Sequence, residues 1–164
     1  MKFKVFLLLI SLFLLVGCTS SFNIDDYKTA PLNMVLQEEG ITTDFNFNNY
    51  DEKKALVTIY LFRGQGCSHC YDFLNFVAND LLKEYGNTIR VQSYEVWKNS
   101  KNNELMGLVK EKMGDADKKG VPYIVIGETA FYGYMDFMAD EIRGAISDAQ
   151  SSANKFDVLK ELSK

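Results

Sequence analysis

Two cysteines separated by two residues carry the strongest chemical signal in this sequence, Cys67-Ser68-His69-Cys70. They follow the apolar run 55–62 and open a segment with helical spacing, which predicts a site where a buried strand meets a helix. Free N–H groups and the macrodipole at a helix N-terminus stabilise an anion, and the thiolate is the nucleophilic form of cysteine. Cys67 is therefore predicted to be the nucleophile and Cys70, one turn later, its more shielded resolving partner.

The chain has too few cysteine and histidine side chains to form a metal site at this motif. The chain has three cysteines and one histidine, and Cys67, His69 and Cys70 cannot provide the four ligands of a tetrahedral zinc site. A purely structural disulfide across four residues would stabilise the fold little, and it stays open as an alternative. A redox pair needs no organic cofactor because the dithiol itself carries the electrons, so neither a metal nor a cofactor is predicted.

The first 17 residues have the layout of a bacterial export signal. Lys2 and Lys4 form a basic start, and the apolar run 5–16 is too short to span a bilayer. The run ends in Leu-Val-Gly-Cys, which resembles the lipobox of bacterial lipoproteins. That resemblance implies cleavage after Gly17, a diacylglyceryl group on the Cys18 thiol, and an extracytoplasmic protein held on the cell membrane by its lipid. An ordinary secretory signal and an uncleaved anchor are the alternatives.

Charge narrows the range of partners. Without Lys2 and Lys4 the chain would keep 16 basic against 22 acidic residues. It also has no basic cluster that could neutralise phosphates, so nucleic acid is not expected as a partner. The acidic excess is expected to serve solubility.

Hydrophobic periodicity predicts one α/β domain over 41–150, preceded by the signal peptide (1–17) and a lipid-anchored tether (18–40) and followed by a tail (151–164). The tether contains a predicted short helix over 31–39. Strands are predicted at 41–47, 55–62, 88–97, 123–126 and 129–132. Helices or helical turns are predicted at 48–54, 67–85, 99–113 with Asn99 or Ser100 as cap, and 136–150 with Phe137, Ile142 and Ile146 inward. The order β-α-β-α-β-α-β-β-α implies a central mixed sheet, parallel in its core and closed by an antiparallel hairpin, with flanking helices.

Three features together resemble the thioredoxin superfamily over 41–150. They are the strand–CxxC–helix unit, the tripeptide Gly120-Val121-Pro122 before a strand, and the paired glycines Gly127 and Gly133 of the last hairpin. The resemblance implies the thioredoxin fold and thiol–disulfide exchange through Cys67 and Cys70. It further implies that Pro122 follows a cis bond and faces the cysteines, so that the backbone of Val121 binds an extended substrate as an added strand.

The residues inside and before the motif bear on redox direction. This chain resembles Dsb-type oxidants in carrying a histidine, His69, just before the second cysteine. A histidine near the first sulfur stabilises its thiolate and so the reduced form, which makes the disulfide more oxidising. His69 therefore favours an oxidant. Ser68 replaces the proline of many family members, which is expected to shift the redox poise. Leu61 stands where the family keeps a buried carboxylate, so the proton relay to Cys70 is left unassigned. Arg63 is expected to be a solvated loop residue or, alternatively, a source of positive potential near Cys67.

The resemblance implies an extracytoplasmic oxidoreductase that exchanges disulfides with exported proteins or peptides and is recycled by a separate redox partner. Oxidation is the first expectation, and reduction of oxidised proteins or in cytochrome maturation is the second. A different class is also open: a thioredoxin-like accessory or binding module of an export or peptide-transport system, with little redox turnover.

Overall fold

A computed structural model describes residues 22–164, so the predicted signal peptide and Cys18 lie outside the described residues. The helices are α1 (Leu32–Glu38), α2 (Ser68–Phe76), α3 (Leu82–Tyr85), α4 (Ser100–Lys112), α5 (Ala139–Ser151) and α6 (Val158–Leu162). The strands are β1 (Val57–Arg63), β2 (Ile89–Glu95), β3 (Tyr123–Ile126) and β4 (Thr129–Tyr132). Short 3₁₀ turns cover Ile24–Asp26, Phe47–Asn49, Glu52–Lys54, Gly86–Thr88 and Asp136–Met138, and a π-turn at Val77–Leu81 joins α2 to α3. Within residues 22–164, no helix has the length and apolar character needed to cross a membrane.

The four strands form one open, mixed sheet in the order β2-β1-β3-β4. β1 and β2 run parallel, β3 is antiparallel to β1, and β4 is antiparallel to β3. The chain is therefore an α/β protein whose sheet is flanked by helices. The parallel pair and the antiparallel closing hairpin confirm those parts of the predicted order.

The first predicted strand, 41–47, is wrong, because this segment is a loop followed by a 3₁₀ turn. Its polar side chains bond to nearby backbone instead of leaving that backbone free for a ladder. The Thr43 hydroxyl accepts from Phe45 N at 3.1 Å and donates to the Ala78 carbonyl at 2.7 Å, and the Asn46 carboxamide caps the turn. The outer edge of β2 instead carries a single antiparallel bridge between Ala30 and Ser93.

The central strand is buried on both faces, as its continuous apolar run predicts. Ile59 and Leu61 point into a core beneath α1, α2 and α5, whereas Tyr60 and Phe62 point into a second core beneath α4 and α6. The alternation follows from the two-residue period of a strand. β1 is thus held from both sides, and the residues that follow it start from a fixed position.

Segments on both sides of the predicted domain take part in these cores. The predicted helix at 31–39 is confirmed as α1, but it is no tether, since Leu32, Val35 and Leu36 are buried. At the other end, Val158 and Leu159 of α6 are buried in the second core. The predicted boundaries at 41 and 150 therefore do not bound the packed core.

The helices predicted after the motif are present, but the π-turn divides 67–85 into α2 and α3, and 136–138 is a 3₁₀ turn before α5. Asn99 caps α4 by accepting from Asn102 N at 3.1 Å, and Ile142 and Ile146 of α5 are fully buried. Phe137 was predicted to point inward, but 76% of it is exposed. It lies in the 3₁₀ turn before α5, so it is out of phase with the inward face of that helix.

Candidate active site

A tight turn places Cys67 at the start of α2. β1 ends at Arg63, and the Cys67 N–H then donates to the Gly64 carbonyl at 3.1 Å. Gly66 has a φ of +78°, a conformation that favours glycine. Cys67 is the N-cap of α2, and its sulfur accepts the Cys70 N–H at 3.3 Å. The predicted junction of strand, motif and helix is therefore confirmed.

The two sulfur atoms lie together and are unequal in access. Their Sγ atoms are 2.6 Å apart, longer than the roughly 2.05 Å of a disulfide bond, and both thiols are free. Cys67 is 9% exposed and Cys70 only 1%. Burial raises the pKa of the Cys70 thiol, and its hydrogen bond to Cys67 acts in the same direction, while the Gly64 backbone and the charge of Arg63 oppose them. Cys70 is thus held as a neutral thiol that donates to Cys67.

The Gly-Val-Pro segment lies against the Cys67 sulfur. The Val121–Pro122 bond is cis, as predicted, and Cys67 Sγ is 3.8 Å from the Val121 carbonyl oxygen. Pro122 is buried, and its carbonyl accepts the Gly133 N–H at 2.8 Å, which links this loop to the end of β4. The structure therefore brings together Cys67, Cys70 and Val121, which are 54 positions apart at their extremes.

The two residues between the cysteines are exposed. Ser68 and His69 occupy the first turn of α2 with their side chains toward solvent. Their predicted influence on redox poise stays a prediction.

Arg63 is not the solvated loop residue that was expected. It is the last residue of β1, is 3% exposed, and donates to Glu39 at 2.5 Å, Glu38 at 2.6 Å and the Ser93 hydroxyl at 3.0 Å. The strand extends one residue further than its apolar run, and this turns the guanidinium toward the end of α1. Its two acidic partners lie 24 and 25 positions earlier in the chain, so no local pattern around Arg63 indicated this burial.

Trp97 and Glu95 also belong to the surroundings of the motif, and the sequence analysis did not single them out. The Glu95 carboxylate accepts from Gln65 N at 3.4 Å, Trp97 N at 2.9 Å and Lys98 N at 2.8 Å. The indole of Trp97 covers Gly64 so closely that a Cβ there would lie 2.1 Å from the ring. The β2–α4 loop is thus fastened to the turn that carries Cys67.

A buried apolar side chain lies on the strand that leads to the pair. Leu61 stands at the position where the thioredoxin superfamily keeps a carboxylate, and it is fully buried in the first core. Among residues 22–164, no group of three or more His, Cys, Asp or Glu side chains could hold a metal ion.

No protein-family model and no curated protein sequence matches this chain.

Proposed function

We propose that this chain is a thioredoxin-fold thiol–disulfide oxidoreductase that exchanges disulfides with exported proteins or peptides. One observation carries the proposal: two free sulfurs 2.6 Å apart at the start of α2, with Cys67 Sγ 3.8 Å from the Val121 carbonyl. The mixed sheet supports the fold assignment, since the cysteines directly follow its central strand and the cis-proline directly precedes β3.

The difference in burial supports a division of roles. The better exposed Cys67 meets the substrate, and the shielded Cys70 resolves the mixed disulfide. In the oxidising direction, a substrate thiolate attacks Cys67 of the Cys67–Cys70 disulfide and Cys70 leaves as a thiolate. A second substrate thiolate then attacks the substrate sulfur of the mixed disulfide and releases Cys67. The substrate loses two electrons and two protons, and the protein gains both as a dithiol.

The Val121 backbone supports docking of an extended substrate. Its carbonyl lies beside the reacting sulfur and the residue is half-buried. A substrate chain running past Cys67 can pair with this backbone as a strand added to an edge, which fixes a cysteine in line with the sulfur. Such recognition is independent of side-chain sequence and suits varied exported proteins.

A lipid on Cys18 would hold this activity outside the cell membrane, where disulfides persist. Phe22, four positions after Cys18 in the sequence, packs against the second core, and four residues reach at most about 14 Å. The domain would then work close to the membrane surface, where a membrane-bound redox partner can recycle it.

Trapping tests the proposal. In Cys70→Ser the Cys67 thiolate attacks a substrate disulfide and the mixed disulfide has no internal resolving thiol, so covalent complexes with exported proteins should accumulate. Cys67→Ser is the matched control and should trap none. Non-reducing gels of lipoprotein-enriched membranes show the complexes, and the reduction potential of the purified pair gives the direction. A potential near roughly −120 mV means an oxidant, and one near roughly −270 mV a reductant.

The opposite result has a definite meaning. If Cys70→Ser yields no mixed disulfides and the wild-type pair exchanges with no dithiol, the oxidoreductase is excluded. A thioredoxin-like binding module is then the better description.

A further inference from the structure

Trp97 presents an exposed aromatic surface at the turn that carries the nucleophile. It is the only tryptophan of the chain and is 61% exposed. Its covered part lies on Gly64, and only glycine leaves room for the ring there. Gly64 in turn accepts the hydrogen bond from Cys67 N. One backbone group thus separates the indole from the nucleophilic residue.

The loop that carries this indole is fixed before any substrate arrives. Glu95 accepts both the Trp97 and the Lys98 N–H, and its carboxylate also reaches Gln65 N. The Lys98 ammonium donates to the Gln65 side chain and closes a second link to the same turn. A large aromatic group held in this way loses little conformational entropy on binding.

Charge near the indole favours an uncharged partner. Glu95 and Lys98, the nearest ionisable residues in sequence on either side of Trp97, have opposite charges and both hydrogen-bond to Gln65 in the turn. Their charges offset each other, so this pair selects neither an acidic nor a basic substrate. The indole is linked to Cys67 through Gly64, and the Val121 carbonyl oxygen lies 3.8 Å from the sulfur of that same cysteine.

Exposure alone does not distinguish Trp97 from several other apolar side chains. Met34, Leu56 and Phe137 are 57%, 61% and 76% exposed, respectively, and single exposed apolar residues are ordinary on protein surfaces. Trp97 differs because its backbone is held by Glu95 and its ring rests on the turn of the motif.

We propose that Trp97 is a substrate-contact residue that binds an apolar or aromatic side chain next to the reacting cysteine of an unfolded exported polypeptide. Apolar side chains beside a cysteine are accessible mainly before a protein folds, so this contact selects unfolded chains over folded proteins and small thiols. The inference rests on the proposed thiol–disulfide exchange for the reaction, and it adds the class of substrate.

Two synthetic peptides test this contact. They carry one cysteine, differ only in a neighbouring Phe or Ser, and are activated as mixed disulfides with thionitrobenzoate. In the Cys70→Ser background, Cys67 attacks the peptide sulfur, the bond to thionitrobenzoate breaks, and its coloured thiolate is released. We expect the Phe peptide to react about three- to tenfold faster than the Ser peptide. Trp97→Ala should bring this ratio close to one, and Trp97→Phe should keep most of it.

A binding measurement separates contact from support of the turn. In Cys67→Ser/Cys70→Ser the Phe peptide should shift the Trp97 emission to shorter wavelength, and the Ser peptide should not. Leu56→Ala, which removes an equally exposed apolar side chain before the start of β1, at the other end of that strand from Cys67, should keep the rate ratio of its parent.

Three outcomes overturn the inference. The first is an unchanged ratio of the Phe-peptide rate to the Ser-peptide rate in Trp97→Ala. The second is that Trp97→Ala reacts more slowly with the small disulfide dithionitrobenzoate by the same factor as with the Phe peptide, which would make Trp97 a support of the turn. In both cases the proposed function stands. If Cys67 reacts with neither peptide nor dithionitrobenzoate, the proposed function fails together with this inference.

Discussion

Arg63 and Glu39 form a buried ion pair that joins the end of the central strand to the end of α1. The two atoms, Nη1 and Oε1, are 2.5 Å apart, and the side chains are 3% and 7% exposed. Glu38 completes the cluster from a more exposed position, 41%. Because the strand leads directly into the Cys67 turn, this pair holds α1 against the base of the site.

Removal of one partner should be costly. Arg63→Met leaves the Glu39 carboxylate buried without its cation, and breaking such a pair costs about 3–5 kcal/mol of unfolding free energy. We expect Glu39→Gln to destabilise more than Glu38→Gln, because Glu38 keeps contact with water. Urea unfolding of the reduced protein measures these changes, and the double variant Arg63→Met/Glu39→Gln should recover part of the loss.

The exposed pair Lys101–Glu104 serves as the control for this cluster. Both side chains are more than half exposed, so Lys101→Ala should leave the urea midpoint unchanged. Equal effects of Lys101→Ala and Arg63→Met would contradict the structural role assigned to Arg63.

The two thiols should differ in alkylation. Burial raises the pKa of Cys70, whose hydrogen bond to Cys67 adds to the effect. In Cys67→Ser, the remaining Cys70 should therefore react with iodoacetamide at least tenfold more slowly at pH 7 than Cys67 does in Cys70→Ser. Mass spectrometry of timed samples measures both rates, and equal rates would argue against a resolving role for Cys70.

The same pKa shift sets a pH dependence of stability in the reduced state. Unfolded cysteine loses its proton near pH 8.5, whereas folded Cys70 keeps it, so the folded state binds more protons above that pH. Cys70 therefore makes its full contribution to the free energy of unfolding below about pH 8.5, and this contribution decreases as the pH rises further. Denaturation of Cys67→Ser at pH 7 and pH 10, compared with Cys67→Ser/Cys70→Ser, isolates this contribution, which should favour pH 7.

The C-terminal segment should be required for stability. Leu159 is 5% exposed and packs with Val158 in the second core, and Tyr60 of β1 donates to Asp157 at 2.6 Å, directly before α6. Leu159→Ala should cost about 2–5 kcal/mol in urea unfolding. Leu108→Ala, at a position 39% exposed, provides the control and should cost less than half as much. A dispensable α6 would show itself as equal stability of Leu159→Ala and wild type.

The sequence predicted the position of the two cysteines better than the residues that hold their turn in place. The continuous apolar run at 55–62 and the helical spacing after Cys67 each depend on neighbouring residues, so the strand, the helix and the position of the motif could be predicted. Arg63 could not, because a cation next to glycines normally indicates solvent and its partners lie 24 and 25 positions earlier. The contact of Trp97 with Gly64 also joins distant parts of the chain, and no periodic pattern marks it.

The predicted strand 41–47 failed for a related reason. Its alternation was mixed, and Phe45 and Phe47 pack edge to face with each other at 5.1 Å while both contact Tyr50. Such a local aromatic cluster buries the same side chains that the strand would have buried. The tail at 151–164 could not be given a role from the sequence, because only two of its residues, Val158 and Leu159, are buried. Both nevertheless complete the second core beneath β1.

Lys110 supports the loop that leads into the cis-proline, and its burial gives a prediction with a definite sign. The side chain is 6% exposed, donates to the Lys118 carbonyl at 3.1 Å and lies 5.0 Å from the centre of the Tyr123 ring. Tyr123 donates to Asp115 at 3.0 Å, so both ends of this loop are held by the same small network.

Burial lowers the pKa of Lys110 from its ordinary value of 10.5, and the charge of Asp115 only partly opposes this. The unfolded chain therefore binds more protons than the folded one in the range just below pH 10.5, and Lys110 makes the protein more stable as pH rises through that range. The difference in unfolding free energy between wild type and Lys110→Met should shift in favour of wild type from pH 8 to pH 10. Burial raises the pKa of Tyr123, which is present in both proteins, so its contribution largely cancels and the difference isolates the lysine. A shift in favour of Lys110→Met over the same range would mean that the ammonium is better stabilised in the folded protein than in water.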